Sequence, residues 1–170
     1  MKKLFTIGYE GTTPAHLFSI LRRNGIELLI DVRDLPLSRK PGFSKTSLCR
    51  GLEGAGLGYL HLKGLGDPKA GRIAARERRF SDFRRIFNSH MLTTAAQQAL
   101  EEAVSAASKS VACLLCFEQD HTNCHRCIVA ESMTRGGKFS LVHLNAAPVI
   151  SGSVSGGRIS SNDRPPAHIG

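Results

Sequence analysis

Apolar residues along the chain form short runs of strand length that alternate with stretches of helical spacing. Five such runs, each four to six residues long, predict strands at residues 4–8, 28–32, 59–62, 111–116 and 139–144. Between them, helical spacing or capping residues predict helices. The first helix begins after Thr13, a good N-cap residue that is followed by Pro14, and ends near Gly25. Further helices are predicted at residues 45–53, 81–90, 94–107 and 128–135.

This alternation predicts an α/β fold, because parallel strands need long connections that are usually helical. We expect a single-domain, three-layer fold in which a mostly parallel sheet of about five strands is flanked by helices. Residues 1–145 would form this domain, and residues 146–170, rich in Gly, Ser and Pro, would form a disordered tail. The strongly basic residues 71–79 are expected to be a mobile lead-in to the next helix.

Composition and length narrow the class of protein. The chain has 170 residues, of which 41% are hydrophobic, and it contains no apolar run of the roughly 18 residues that a membrane span requires. The N-terminus is too briefly apolar for a secretory signal, so we expect a cytoplasmic protein without a membrane partner. Four of the five cysteines lie within residues 113–127, a distribution that favours reduced thiols over a disulfide framework.

The positive charge of the chain is concentrated in its first half. The net charge is +9, and residues 22–85 contain 15 Lys and Arg but only 7 Asp and Glu. Such a surface attracts phosphates, nucleotides or nucleic acid, although a merely solvated basic surface is the alternative. A non-catalytic nucleic-acid binder would use the stretch from Arg72 to Arg85. The absence of Trp argues against the aromatic platforms of single-strand binders.

Polar residues follow the predicted strands at their carboxyl ends, where open parallel sheets bind ligands. Asp31 and Glu118 are candidate general acids or bases, with ion pairs to Arg33, Arg39 or Arg126 as the alternative. His61 and His125 are candidates for proton transfer, and Arg33, Arg39 and Arg126 for binding anionic groups. The residues expected at this edge are Tyr9, Glu10, Asp31, Arg33, Arg39, His61, Cys116, Glu118, Cys124, His125 and Arg126.

The segment from Cys116 to Cys127 allows three interpretations. The pairs Cys113/Cys116 and Cys124/Cys127 resemble zinc ligands, but seven residues separate them where such sites usually have roughly 15–20. Cys113 and Cys116 would also point to opposite faces of a strand. Alternatively, Thr122 or Asn123 caps a helix whose first turn holds Cys124, lowering the pKa of its thiol, or the same turn binds an anion. We favour the anion and assign no metal site and no cofactor.

These residues together resemble the prokaryotic family called domain of unknown function 488, over roughly residues 4–144. The resemblance implies an α/β protein with its shared polar residues at one edge. It implies little about activity, because the family is largely uncharacterised. Tyr9 and Glu10 depart from the His-Ser pair expected there, and Cys113 and Cys127 lie outside the pattern. The residues that carry it are Thr6, Ile7, Gly8, Asp31, Val32, Arg33, Pro36, Ser38, Arg39, Phe43, Tyr59, His61, Leu65, Gly66, Cys116, Glu118, Cys124, His125 and Arg126.

The sequence thus predicts an acid–base enzyme of hydrolase or lyase type that acts on a phosphate-bearing substrate, a nucleotide or a nucleic-acid component. A weaker similarity to rhodanese-type sulfurtransferases, through residues 29–33 and a cysteine that ends a later strand, makes a thiol enzyme using Cys116 or Cys124 the alternative. A non-catalytic nucleic-acid-binding protein is the third possibility. The sequence does not indicate an oligomeric state.

Overall fold

The computed structural model describes residues 1–146. Residues 147–170, which contain nearly all of the expected tail, lie outside the described part, whereas Ala146, expected to begin that tail, is buried in the core. No helix in the described part is long and apolar enough to cross a membrane. The strands are β1 (Lys2–Gly8), β2 (Leu28–Asp31), β3 (Gly58–His61), β4 (Ala112–Cys116) and β5 (Phe139–His143).

The five strands form one sheet in the order β3-β2-β4-β1-β5, and every neighbouring pair is parallel. Strand β4 is buried along its whole length, which explains its continuous apolar sequence. The predicted α/β class and five-stranded parallel sheet are therefore confirmed.

Within residues 1–146, six α-helices connect or flank these strands: α1 (Pro14–Arg23), α2 (Lys45–Gly54), α3 (Lys69–Arg76), α4 (Phe80–Met91), α5 (Thr94–Lys109) and α6 (His125–Thr134). The Thr13 hydroxyl accepts a hydrogen bond from the backbone N–H of His16, so it caps α1 as predicted. Core residues of α1 and α2 pack in one cluster and those of α4, α5 and α6 in another. The sheet therefore lies between two helical layers.

The prediction of a mobile stretch at residues 71–79 is wrong, because residues 69–76 form α3. Gly71 and Ala74 are buried on its inner side, while Arg76 and Arg78 are exposed. The helix is hard to recognise in the sequence because basic residues dominate it and only two small residues, Gly71 and Ala74, form its buried side. Arg78, with φ of 58°, then makes the corner between α3 and α4.

The topology places a crevice between β1 and β4. After β1 the chain crosses one face of the sheet through α1, whereas after β4 it crosses the other face through α6. The two connections diverge from neighbouring strands, so a gap opens outside their carboxyl ends. In open α/β sheets such a switch point is where ligands bind.

Candidate functional site

A cavity of about 890 Å³ opens at the carboxyl edge of the sheet. Its walls come from the loops after β1, β2 and β4, from the start of α6 and from one side of α3. Of the predicted site residues, Tyr9, Glu10, Arg33, Arg39, Glu118 and His125 line it. The others, Asp31, His61, Cys116, Cys124 and Arg126, are not in its lining.

Asp31 and Arg33 form a buried ion pair at the end of β2. Two hydrogen bonds join their side chains, from Arg33 Nε to Asp31 Oδ1 (2.8 Å) and from Nη2 to Oδ2 (2.7 Å). Although burial alone lowers the pKa of Arg33, the hydrogen bond and charge of Asp31 raise it above its ordinary value. The Tyr59 hydroxyl also donates to Asp31 Oδ2 at 2.6 Å. Asp31 is thus engaged on both oxygens, in the ion pair that was the alternative to an acid–base role.

Two histidines hold the backbone that follows Asp31. His61 Nε2 donates to the carbonyl of Arg33 at 2.8 Å, and His125 Nε2 donates to that of Val32 at 2.7 Å. A carbonyl only accepts, so both Nε2 atoms carry the proton. Burial lowers the pKa of His125, which keeps its ring neutral. These bonds fix the position of the β2 end, and they leave Nδ1 of His125 as its basic atom.

Two thiols surround the carboxylate of Glu118. Cys116 Sγ and Cys124 Sγ each donate to Glu118 Oε2 at 3.2 Å. Cys124 is itself the N-cap of α6, in place of Thr122 or Asn123, and its Sγ accepts the N–H of Arg126 at 3.5 Å.

The expected lowering of the Cys124 pKa is not found. Burial raises the pKa of this thiol well above its ordinary value, and the neighbouring Cys116 and Glu118 raise it further. The positive end of α6 and the charge of Arg126 favour thiolate, but they are outweighed because the side chain is only 2% exposed. Cys124 is therefore a neutral thiol.

Arg126, expected to bind substrate, is fully buried and points into the loop after β4. Its guanidinium donates to the carbonyls of Glu118 and Gln119, and Nε donates to Thr6 Oγ1 at 3.2 Å. Nη1 lies 2.8 Å from Cys116 Sγ. The side chain thus shapes the loop that carries Glu118 from behind the cavity.

Arg126 also bears on metal binding at this edge. Ligand atoms of Cys116, Glu118 and Cys124 lie within 4.8 Å of one another, close enough to share an ion. However, a guanidinium 2.8 Å from Cys116 Sγ repels a cation and uses one of the donors. The four-cysteine alternative fails as well, because Cys113 packs in the core cluster of α1 and Cys116 in that of α6.

Gly8 allows the same loop to approach β1. A Cβ built on Gly8 would lie 1.8 Å from the carbonyl oxygen of Glu118 and 2.9 Å from Arg126 Nη1. Only a residue without a side chain fits there. The last residue of β1 therefore decides how close Glu118 comes to the crevice.

Asp67 is a site residue that the sequence analysis missed. Its carboxyl is 6% exposed, lines the cavity, and has no hydrogen-bond partner for Oδ1 among residues 1–146. Burial raises the pKa of Asp67 to about 7, against the opposing charge of Arg72 and with a further increase from Glu118. Gly71 makes room for it, since a Cβ there would lie 2.0 Å from Oδ1. No signal in the sequence identifies Asp67 as a site residue, because it stands there in a turn before Pro68.

Cationic and apolar side chains share the remaining wall. Arg39, Lys40, Arg72 and Arg76 line the cavity, and Arg72 is anchored by Asp34 Oδ2 at 2.7 Å and by the Asp67 carbonyl at 2.6 Å. The apolar part consists of Leu35, Leu37, Ala75, Phe80 and Phe117. The cavity can therefore receive a molecule that has both an anionic and an apolar portion.

Residues 13–133 match the model of the family described as Domain of unknown function DUF488. The chain belongs to this family. The matched region extends from the N-cap of α1 into α6, so it contains the Asp31–Arg33 pair, Asp67 and Glu118. No curated protein and no solved structure matches the chain. The family identity thus agrees with the resemblance seen in the sequence.

Proposed function

We propose that this DUF488 protein is an acid–base enzyme of hydrolase or lyase type acting on a phosphate-bearing substrate, either a nucleotide or a nucleic-acid component. The observation that carries the proposal is Asp67, a buried carboxyl in the lining of a cavity that five Lys and Arg side chains also line; its Oδ1 has no hydrogen-bond partner among residues 1–146. With a pKa of about 7, Asp67 is partly protonated at neutral pH, and the protonated form can give its proton to a leaving group.

Glu118 is the complementary base. Both thiols bind Oε2, so the other oxygen, Oε1, can accept a proton from a water or a substrate hydroxyl. Asp67 and Glu118 lie close enough for the charge of Glu118 to raise the pKa of Asp67. Two carboxyl groups whose surroundings differ in this way are the usual basis of paired acid and base roles. The neutral Nδ1 of His125 would assist proton transfer, and Cys116 and Cys124 would orient Glu118.

The charges of the cavity support a phosphate-bearing substrate. Arg39, Lys40 and Arg76 would bind the phosphate, and Arg72, fixed by Asp34, would hold its position. The apolar wall around Phe117 would accept a base or sugar. Arg33, in its pair with Asp31, would contribute positive charge and shape the floor, and Arg126 and His61 would position the loops.

A substrate panel tests the acid–base assignment. Nucleotides, nucleosides, phosphomonoesters and short oligonucleotides are incubated with the protein, and products are identified by mass spectrometry. Asp67→Asn and Glu118→Gln should each lower turnover by roughly 10²–10⁴-fold. Glu102→Gln, an exposed position on α5, serves as the matched control and should keep wild-type turnover. Full activity in either cavity variant would overturn the assignment.

Non-catalytic nucleic-acid binding is the second candidate. Its supporting observation is the corner between α3 and α4, where Arg76, Arg78 and Arg79 are exposed, with Arg84 and Arg85 further along α4. Binding to arbitrary DNA or RNA that weakens steeply with salt, without turnover of any substrate, would favour it. A cytoplasmic location is part of the proposal, supported by five free cysteines.

A further inference from the structure

A second cluster of potential ligands lies where the turn before α6, α6 and β5 meet, and none of its residues lines the cavity. It consists of His121 on the short 3₁₀ turn before α6, Cys127 on α6 and His143 on β5. One nitrogen or sulfur atom from each lies within 4.8 Å of the others. We propose that these three residues bind a zinc ion, a site separate from the proposed catalytic centre and independent of the proposed function.

The donor types suit this ion. Imidazole nitrogen and thiolate sulfur are the common protein ligands of Zn²⁺, at about 2.0–2.1 Å and 2.3 Å. Three donors within 4.8 Å can close onto one ion with side-chain rotations alone. In contrast to the trio at Glu118, no guanidinium is hydrogen-bonded to any of these three residues in the described part of the chain.

His143 is held in the orientation a metal ligand needs. Its Nδ1 lies 2.7 Å from the hydroxyl of Thr6, which also accepts a hydrogen bond from Arg126 Nε at 3.2 Å. When this hydroxyl accepts the proton of Nδ1, Nε2 carries the lone pair. Metal-binding histidines usually have their second nitrogen fixed by such a partner.

Glu131, which is hydrogen-bonded to Cys127, can supply a fourth ligand. The Cys127 thiol donates to Glu131 Oε1 at 3.4 Å, one turn further along α6. When zinc binds, the thiol proton is released to solvent and the sulfur bonds to the ion as thiolate. Glu131 can then turn from accepting that proton to binding the metal, and otherwise water completes the tetrahedron.

The imidazole of His121 must rotate for the ion to enter. Its ring stacks on that of His143 with centroids 3.6 Å apart and planes 5° from parallel. Two parallel rings cannot both direct a nitrogen at one ion, because a ligating nitrogen binds in its own ring plane. His121 lies on a three-residue turn and its Nδ1 is enclosed without a hydrogen-bond partner in residues 1–146, so this is the ring that moves.

Cobalt substitution tests the site on the full chain. After treatment with a chelator, Co²⁺ is titrated into the protein, and visible and near-ultraviolet absorption is recorded. We expect one equivalent to give the intense visible bands of tetrahedral cobalt together with a thiolate-to-metal band, and Zn²⁺ to displace it. Cys127→Ser should remove the thiolate band, and His143→Gln should weaken binding at least tenfold.

Two matched variants test whether the cobalt spectrum comes from this site or from other thiols of the chain. Cys49→Ser and Cys124→Ala should both leave the cobalt spectrum unchanged, since Cys49 lies on α2 and Cys124 belongs to the trio at Glu118. His121→Gln, on a three-residue turn that has no buried residue, provides a variant that does not disturb the core. Circular dichroism confirms folding in each case. A thiolate band that survives in Cys127→Ser, one lost in Cys124→Ala, or only weak octahedral bands in the wild type would overturn the proposal.

Discussion

The carboxylate of Asp31 binds the guanidinium of Arg33 through two hydrogen bonds in a place where water has almost no access. The two side chains are 0% and 6% exposed. Arg33 also donates to the carbonyl of Phe43 at 2.8 Å, in the loop that forms a wall of the cavity. The pair therefore connects the end of β2 to the proline-rich loop, and we expect its main contribution to be to stability.

Asp31→Asn should lower the free energy of unfolding by roughly 3–5 kcal/mol, because it leaves the Arg33 charge buried without a counterion. Urea denaturation followed by circular dichroism measures this. Asp34→Asn is the matched control, since it breaks the Asp34–Arg72 pair, whose side chains are 26% and 28% exposed. That change should cost about 1 kcal/mol or less. Equal losses in the two variants would contradict a special role for burial.

Gly8→Ala should disturb the loop that carries Glu118. The new Cβ would lie 1.8 Å from the Glu118 carbonyl oxygen, so the loop must move away from β1. We expect a loss of about 1–3 kcal/mol in the free energy of unfolding, together with reduced activity. Gly54→Ala at the end of α2, where a Cβ meets no atom within 4 Å, is the control and should be neutral or slightly stabilising.

Asp67 should make the protein less stable as the pH rises. Its pKa is about 7 in the folded state and near 3.8 in the unfolded chain, so the folded state binds more protons between these values. Stability therefore falls from about pH 4 to pH 7, by at most about 4 kcal/mol, and stays lower above that range. Asp67→Asn should remove this decline and be more stable than the wild type at pH 8. An identical pH profile in both proteins would refute the shifted pKa.

Thiol labelling tests whether Cys116 or Cys124 is a nucleophile. Both are buried and Cys124 has a raised pKa, whereas Cys49 is partly exposed on α2. With iodoacetamide at pH 7.5, mass spectrometry should show Cys49 modified first and the two buried thiols only after unfolding. Faster labelling of Cys124 than of Cys49 in the native protein would instead support the thiol-enzyme alternative.

The sequence predicted those features that depend on local pattern. Strand β4 is evident from its apolar run, and α1 from Thr13 and Pro14, since the propensity and capping that form them are encoded within a few residues. The raised pKa of Asp67 was not predictable. It depends on Gly71 from α3 and on Glu118 from a loop about fifty residues away.

For Arg126, the sequence suggested a role at the site that the structure does not place there. Its place beside two cysteines and a histidine suggested contact with an anion, yet its side chain turns inward to bind the carbonyls of Glu118 and Gln119. The direction of a long side chain depends on which unpaired carbonyls the fold brings near it. Sequence alone identified the crevice edge but not which of its residues face the cavity.

Charge reversal in the cavity should distinguish a phosphate pocket from a general basic surface. Arg39→Glu and Arg76→Glu each place a negative charge in the cavity lining, so binding of a nucleotide, or competition by inorganic phosphate, should weaken at least tenfold. Arg85→Glu is the matched control, because Arg85 is 71% exposed on α4 and outside the cavity. Isothermal titration calorimetry at two salt concentrations measures the change in affinity. If Arg85→Glu weakens binding as much as the cavity variants, the basic surface rather than the cavity binds the anion, and the nucleic-acid-binding candidate gains support.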